Sequence, residues 1–194
     1  MPATFTRMAA IPDVILVEPK LWRDGRGWFA ETYKRSEFEA HGIPGEFPQD
    51  NHVRSVEPHV LRGLHYQKRA AAQGKLVRCT LGAIVDVAVD IRRGSPTYGR
   101  HVAATLAADD ARALWLPPGF AHGYCTLTPV SEVHYKVTSE YAPAHERAIR
   151  WDDPTLAVAW PTRAPVVSAK DAAAPLFADA DNDFVWEGRP SGSS

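Results

Sequence analysis

Cysteine is scarce in this chain: two in 194 residues, Cys79 and Cys125, each in an apolar stretch and not in a C-x-x-C arrangement. That argues against a disulfide framework or a zinc ribbon and leaves two buried free thiols as the expectation. There is no internal repeat, and no low-complexity run apart from the polar stretch EGRPSGSS at 187–194, which is expected to be disordered. No charged-then-apolar leader occurs, and no apolar run approaches the roughly 18 residues of a membrane span, so the cytoplasm is the expected location. Neither sign of charge dominates, with 22 Lys and Arg against 23 Asp and Glu. The balance points away from nucleic acid and membrane as partners, while leaving room for a local basic cluster that serves a small anion.

What is present suits one globular domain over 1–194, since 45% of the residues are hydrophobic. A chain of this length buries roughly 70% of its unfolded surface and needs no staples. The middle reads as strands. KLVRCTL at 75–81 alternates, with Leu76, Arg78 and Thr80 opposing Val77 and Cys79. AIVDVAVDI at 83–91 sets Val85, Val87 and Val89 against Asp86 and Asp90. Gly82 and Ala83 between these two runs predict a tight hairpin. RRGSPTYG at 92–99 is a turn cluster, and HVAATL, ALWL, HGYCTL and SEVHYKVT follow as further short strands. Short strands at regular spacing without long helices predict a mostly β sandwich or barrel. Two short helical pieces are expected. One lies at 36–42, with Ser36 and Glu39 as a capping box and Gly42 as terminator; the other lies in the alanine-rich 169–180, broken at Pro175.

The chemistry-bearing residues gather in a few stretches. RGLHYQ at 62–67 presents His65 as a metal ligand, a base or a packed ring. A β-sheet metal site draws ligands from alternate positions of one strand, but Gln67 stands two residues on, and the first acid after His122 is Glu132, so a ligand set falls short. Arg62, Gln67, Lys68 and Lys75 crowd the same region, and cations near an imidazole keep it neutral and able to accept a proton. PPGFAHGY at 117–124 is a rigid turn that delivers His122 to the start of a strand. In HYKVTSEYAP, Tyr135 shares the apolar face with Val133 and Val137, where a phenol either packs or presents its proton to a ligand.

Taken in order, RGLHYQ, QGKLVRC, DVAVDIRRGSPTYG, PPGFAHGY, YKVTSEYAP and WDDP…AWP resemble the dTDP-4-dehydrorhamnose 3,5-epimerase family of cupin-fold sugar-nucleotide epimerases. DGRGWFAE at 24–31 and QDN at 49–51 extend the likeness, which covers about residues 11–180. The resemblance implies a cupin-type double-stranded β-helix (jelly roll) with a few short helices. It also implies a homodimer formed by exchange of N-terminal strands, and an enzyme without metal or cofactor. Its substrate would be a dTDP-4-keto-6-deoxyhexose, inverted at C3 and C5; relatives that invert one centre carry the same motifs.

By that resemblance His65 is the base, Asp171 holds its ring, Tyr135 is the acid on the far face of the sugar, and Lys75 is the cation beside the enolate oxygen. Arg26 and Arg62 correspond to diphosphate and sugar contacts. Glu31, Gln49, Asp50, Asn51, Glu146 and Lys170 correspond to contacts on the nucleotide side. Tyr141 would stack on the base, and His122 would line the sugar site. Arg62 has the opposite strand parity to His65, so both reach one pocket only through a bulge or bend, placed at Gly63. Trp28 and Tyr124 stand where phenylalanine is common in the family.

Overall fold

The computed structural model describes residues 3–188. In chain order the strands are β1 (Ala3–Met8), β2 (Ile11–Pro19), β3 (Trp22–Asp24) and β4 (Gly27–Phe29). After helix α1 (Arg35–Ala40) come β5 (Gln49–Ser55), β6 (Leu61–Gln67), β7 (Lys75–Leu81), β8 (Ala83–Asp90), β9 (His101–Ala107) and β10 (Ala113–Leu116). They are followed by β11 (Phe120–Thr126), β12 (Ser131–Val137), β13 (Glu146–Ala148) and helix α2 (Ala169–Ala172).

The strands form a six-stranded sheet, β1-β2-β10-β7-β12-β5, and a five-stranded sheet, β13-β6-β11-β8-β9, with β3 and β4 as a separate hairpin. The order β5-β12-β7-β10 facing β6-β11-β8-β9 is the double Greek key of a jelly roll. Alternation explains how both sheets are used. Val77, Cys79 and Val133 of one sheet meet Ile84, Ala88 and Tyr124 of the other in the central core. The opposite parity of the same strands is buried as well. Val87 and Val89 pack on Ile149, Leu156 and Phe177 of the C-terminal segment. Leu76 and Trp115 pack under Phe38 and Ile43.

That two-sided burial corrects the expected hairpin at Gly82. β7 and β8 do not pair: β7 lies between β10 and β12, and β8 between β11 and β9. Gly82, at φ 74°, instead carries the chain from one sheet to the other. A strand with two apolar faces needs a layer on each side, which a two-stranded ribbon cannot provide. A side chain at Gly82 would also strike Val130 O, 2.4 Å from an ideal Cβ.

The capping box at Ser36 is corrected too. α1 begins one residue earlier, after Lys34, and no side chain caps it. Glu39 is held by Arg35 Nε at 2.9 Å and does not reach back. Its C-terminus follows the expectation: Gly42 adopts φ 81°, and Ile43 N–H donates to Phe38 O at 3.0 Å. α2 is capped by Ser168, whose Oγ accepts the Asp171 N–H at 3.1 Å; the chain then leaves the helix and makes a second short turn after Pro175. Both cysteines are buried free thiols, pushed up to about 11 by burial. Of the tail expected to be disordered, 189–194 lie outside the described residues.

Candidate active site

A cavity of about 600 Å³ opens between the two sheets. β6 supplies Arg62 and His65 from one sheet; β7 and β12 supply Lys75 and Tyr135 from the other. A base from one wall and a phenol from the other therefore enter one space from opposite sides. The parity problem of Arg62 is solved at the expected place. His122 pairs with His65 and Tyr124 with Arg62, so Gly63 and Leu64 together oppose Gly123 alone, and this bulge turns both side chains into the cavity. Two glycines meet back to back there, since a Cβ on Gly63 would lie 2.5 Å from Gly123 Cα.

His65 Nε2 lies 2.6 Å from Asp171 Oδ1. α2 delivers this carboxylate, and Ser168 fixes the turn that aims it. Burial raises the Asp171 carboxyl, but the hydrogen bond and charge of His65, with help from Ser168 and the Gly63 N–H, outweigh it and hold the group below its ordinary value. An ionised Asp171 binds the Nε2–H tautomer and leaves the Nδ1 lone pair free to act as a base. Tyr135 is raised above the usual phenol, chiefly by burial; Arg62 opposes and Glu146 adds. It keeps its proton at neutral pH. Lys75 is drawn down to about 8 by burial, with Asp86 and then Glu146 opposing the shift.

A smaller cavity of about 290 Å³ shares His65, Lys75, Tyr135 and Glu146 with the first and continues to Gln49, Asn51 and Tyr141. These outer residues are linked. Gln49 Oε1 accepts the Tyr141 N–H at 2.7 Å, and its Nε2 donates to Asn51 Oδ1 at 2.9 Å. Tyr141 Oη donates to Glu146 Oε2 at 2.8 Å, and Lys170 Nζ pairs with the same oxygen. Burial raises Glu146, yet these two partners and His65 hold it below its ordinary value. Tyr141, half exposed, offers an aromatic face at the mouth.

Several expected site residues are not brought to either cavity. Arg26 sits on the β3–β4 hairpin with 91% of its side chain exposed and is bound to Asp24; Glu31, just beyond that hairpin, is exposed as well. Asp50 faces the other side of β5 from Gln49, because strand neighbours alternate, and Lys136 Nζ holds it at 2.9 Å. Of the cations expected around His65, Lys68 points outward to Asp181, leaving Arg62 and Lys75 in the cavity. Among the described residues no group of three His, Cys, Asp or Glu side chains is placed to hold a metal ion.

The sequence reading missed Asp86. It is completely buried, and its Oδ1 accepts from His122 Nε2 at 2.7 Å, making a second dyad next to the first. The signal was present in an acid at an interior position of AIVDVAVDI. Asp90 carries the same signal, however, and is consumed by Arg92, Ser95 and Thr97 in the turn that follows.

The profile of the dTDP-4-dehydrorhamnose 3,5-epimerase family matches residues 8–179, most of the chain. The chain belongs to that family. A dTDP-4-dehydrorhamnose 3,5-epimerase of Pseudomonas aeruginosa is 55% identical over 178 residues, covering 91% of this chain and 97% of the relative. The crystal structure of an epimerase from Legionella pneumophila, solved with dTDP-4-keto-L-rhamnose, superposes with TM-score 0.86 at 42% identity, over 91% of this chain and 93% of the other. A 3'-monoepimerase of Streptomyces bikiniensis, in complex with dTDP-quinovose, gives TM-score 0.83 at 34% identity, over 89% and 88%. Membership in the family accords with a jelly roll whose charged and phenolic side chains converge between the sheets.

Proposed function

We propose that the chain inverts C3 and C5 of dTDP-4-dehydro-6-deoxy-D-glucose, giving dTDP-4-dehydro-L-rhamnose. His65 Nδ1 takes a proton from carbon beside the C4 ketone. The electron pair moves onto the ketone oxygen, and the Lys75 ammonium stabilises the resulting enolate. Tyr135 then returns a proton to the same carbon from the opposite face, which inverts it, and proton exchange with solvent resets both groups. The second centre follows by the same steps. A preorganised cation beside such an oxyanion is worth about 3 kcal/mol, and general-base help roughly a hundredfold to ten-thousandfold in rate. The observation that carries the reading is the entry of His65 and Tyr135 into one cavity from opposing sheets, with Lys75 lining the same cavity.

Nucleotide binding falls to the linked rim of Gln49, Asn51, Tyr141, Glu146 and Lys170, with Tyr141 against the base and Arg62 on the diphosphate side. Arg26 and Glu31 serve a partner's cavity in a homodimer. Support for this comes from the β3–β4 hairpin, which holds Trp22, Trp28 and Phe29 at 41%, 41% and 68% exposure, an aromatic surface in search of a cover. No helix among the described residues is long and apolar enough to cross a membrane, and the cytoplasm is the proposed location.

The test is proton NMR of dTDP-4-keto-6-deoxyglucose in deuterated water with the enzyme. Deuterium at both C3 and C5, lost in His65→Asn, is the expected result. Deuterium at one carbon alone would make this a single-centre epimerase, and full exchange by His65→Asn would remove His65 as the base.

A further inference from the structure

Asp86 has no part in the assignment above, yet it is bonded to His122, which lines the cavity where that chemistry is placed. It rises from β8 with no exposed surface. One oxygen accepts from His122 Nε2; the other, Oδ2, has no protein partner. Its cross-strand neighbour Tyr124 also leaves a buried hydroxyl without one. Lys75 enters the same interior from the other sheet. Sharing the cavities with it are His65 and Arg62 from β6, His122 and Tyr124 from β11 and Tyr135 from β12; the carboxylates whose charges reach it are Glu146 from β13 and Asp86 from β8. Glu146 is already engaged by Lys170 and the Tyr141 hydroxyl. Asp86 is the one whose spare oxygen is fully buried and that is bonded to no Lys or Arg.

An ammonium enclosed by protein loses its proton unless an anion stands near it. Burial is the largest influence on Lys75, and Asp86 is the largest one opposing it. His122 has the complementary problem. Burial lowers its ring below the usual histidine value; Asp86 opposes, while Lys75 and His65 add to the lowering. A neutral His122 with Nε2–H on Asp86 presents Nδ1 as an acceptor next to the sugar.

We infer that Asp86 is a positioning residue for the epimerisation: one oxygen sets the orientation and tautomer of His122, and the other supplies the enclosed negative charge that balances the Lys75 ammonium beneath the ketone. The inference rests on the role given to Lys75 above.

Asp86→Asn keeps the shape and removes the charge. In the wild type, kcat/KM is expected to fall above about pH 8, where Lys75 deprotonates. In Asp86→Asn that alkaline limb moves down by about one unit, so the rate falls about twofold at pH 7 and about tenfold at pH 9. Asp171→Asn is the comparator: it slows the reaction through His65 and leaves the limb in place. An Asp86→Asn enzyme slowed equally at every pH, with its limb unmoved, overturns the inference and leaves the functional reading intact. Full exchange activity in Lys75→Met overturns the reading of Lys75 and this inference with it. If Asp86→Asn does not fold, the Lys75→Met/Asp86→Asn double variant decides. Recovery of a cooperative melt, because no lone charge remains inside, supports the coupling; a double variant as unfolded as the single one overturns it.

Discussion

His65 and His122 stand directly opposite each other on β6 and β11, and each gives its Nε2 to a different buried carboxylate, Asp171 at 2.6 Å and Asp86 at 2.7 Å. The two dyads are alike in bonding and unlike in surroundings. The His65 side chain is 29% exposed and its aspartate arrives from α2, outside the sheets; the His122 side chain is 7% exposed and its aspartate arises from within the jelly roll. A base that must shed its proton on every turnover belongs at the open position, and a ring that only orients substrate can be enclosed. The same pair of groups in two environments thus divides into two roles.

Tyr135→Phe removes the acid and leaves the base. Deuterium exchange at the position His65 reaches should persist in part, while net inversion falls by about a hundredfold or more. The two readouts come from one NMR time course. Inversion at the wild-type rate would assign the acid to another group.

Asp171→Asn should lower kcat by roughly a hundredfold or more, since an amide in place of the carboxylate no longer selects the Nε2–H tautomer. The effect should appear in kcat with little change in KM, because Asp171 lies behind the imidazole. Steady-state kinetics check it, and an unchanged kcat would leave this aspartate a purely structural one.

The activity should have an alkaline limb near pH 8, from Lys75. Below that pH the ammonium is present to meet the enolate; above it the amine is neutral and the stabilisation is lost. The sign for stability is the reverse. Unfolded, the group has its ordinary value of 10.5, so between about 8 and 10.5 the unfolded chain binds more protons. The Lys75 contribution to stability therefore rises with pH through that window. Rate and denaturation profiles on the same protein should diverge there.

Arg26 and His65 should complement each other across a dimer. Mixing Arg26→Ala with His65→Asn under conditions that exchange subunits should restore wild-type affinity to a fraction of sites, because one mixed site carries both native residues. Activity at low substrate measures it. No gain on mixing would place Arg26 in its own subunit's site, or outside any site.

Gly63→Ala should destabilise the fold by about 3 kcal/mol or more. Its φ of 134° is a conformation that side chains avoid, and the added carbon would lie 2.9 Å from His122 O as well as against Gly123. Urea melts check this, and any folded fraction should have lost activity through displacement of His65 and His122.

Alternation in the amino-acid sequence was enough to place the strands between Lys75 and Thr138, because a side chain must point to one face or the other every second residue; the strands at 3–8, 11–19, 22–24, 27–29, 49–55 and 146–148 were not read from it. Lys75 and Tyr135 could thus be placed on strands, and the bulge at Gly63 followed from the parity conflict between Arg62 and His65 once the resemblance put both in one pocket. The roles came from ordered motifs, which record chemistry that spacing alone leaves open. Strand pairing was decided only by the tertiary structure. Gly82 looks like a hairpin turn locally, but whether it joins two strands of one sheet or crosses between sheets depends on which distant segments cover Leu76, Val87 and Val89. The same holds for Asp86 and Asp90. They are equivalent in a strand pattern, and one became a turn anchor and the other a partner of His122, because a carboxylate's function is set by the donors that folding brings to it from distant parts of the chain.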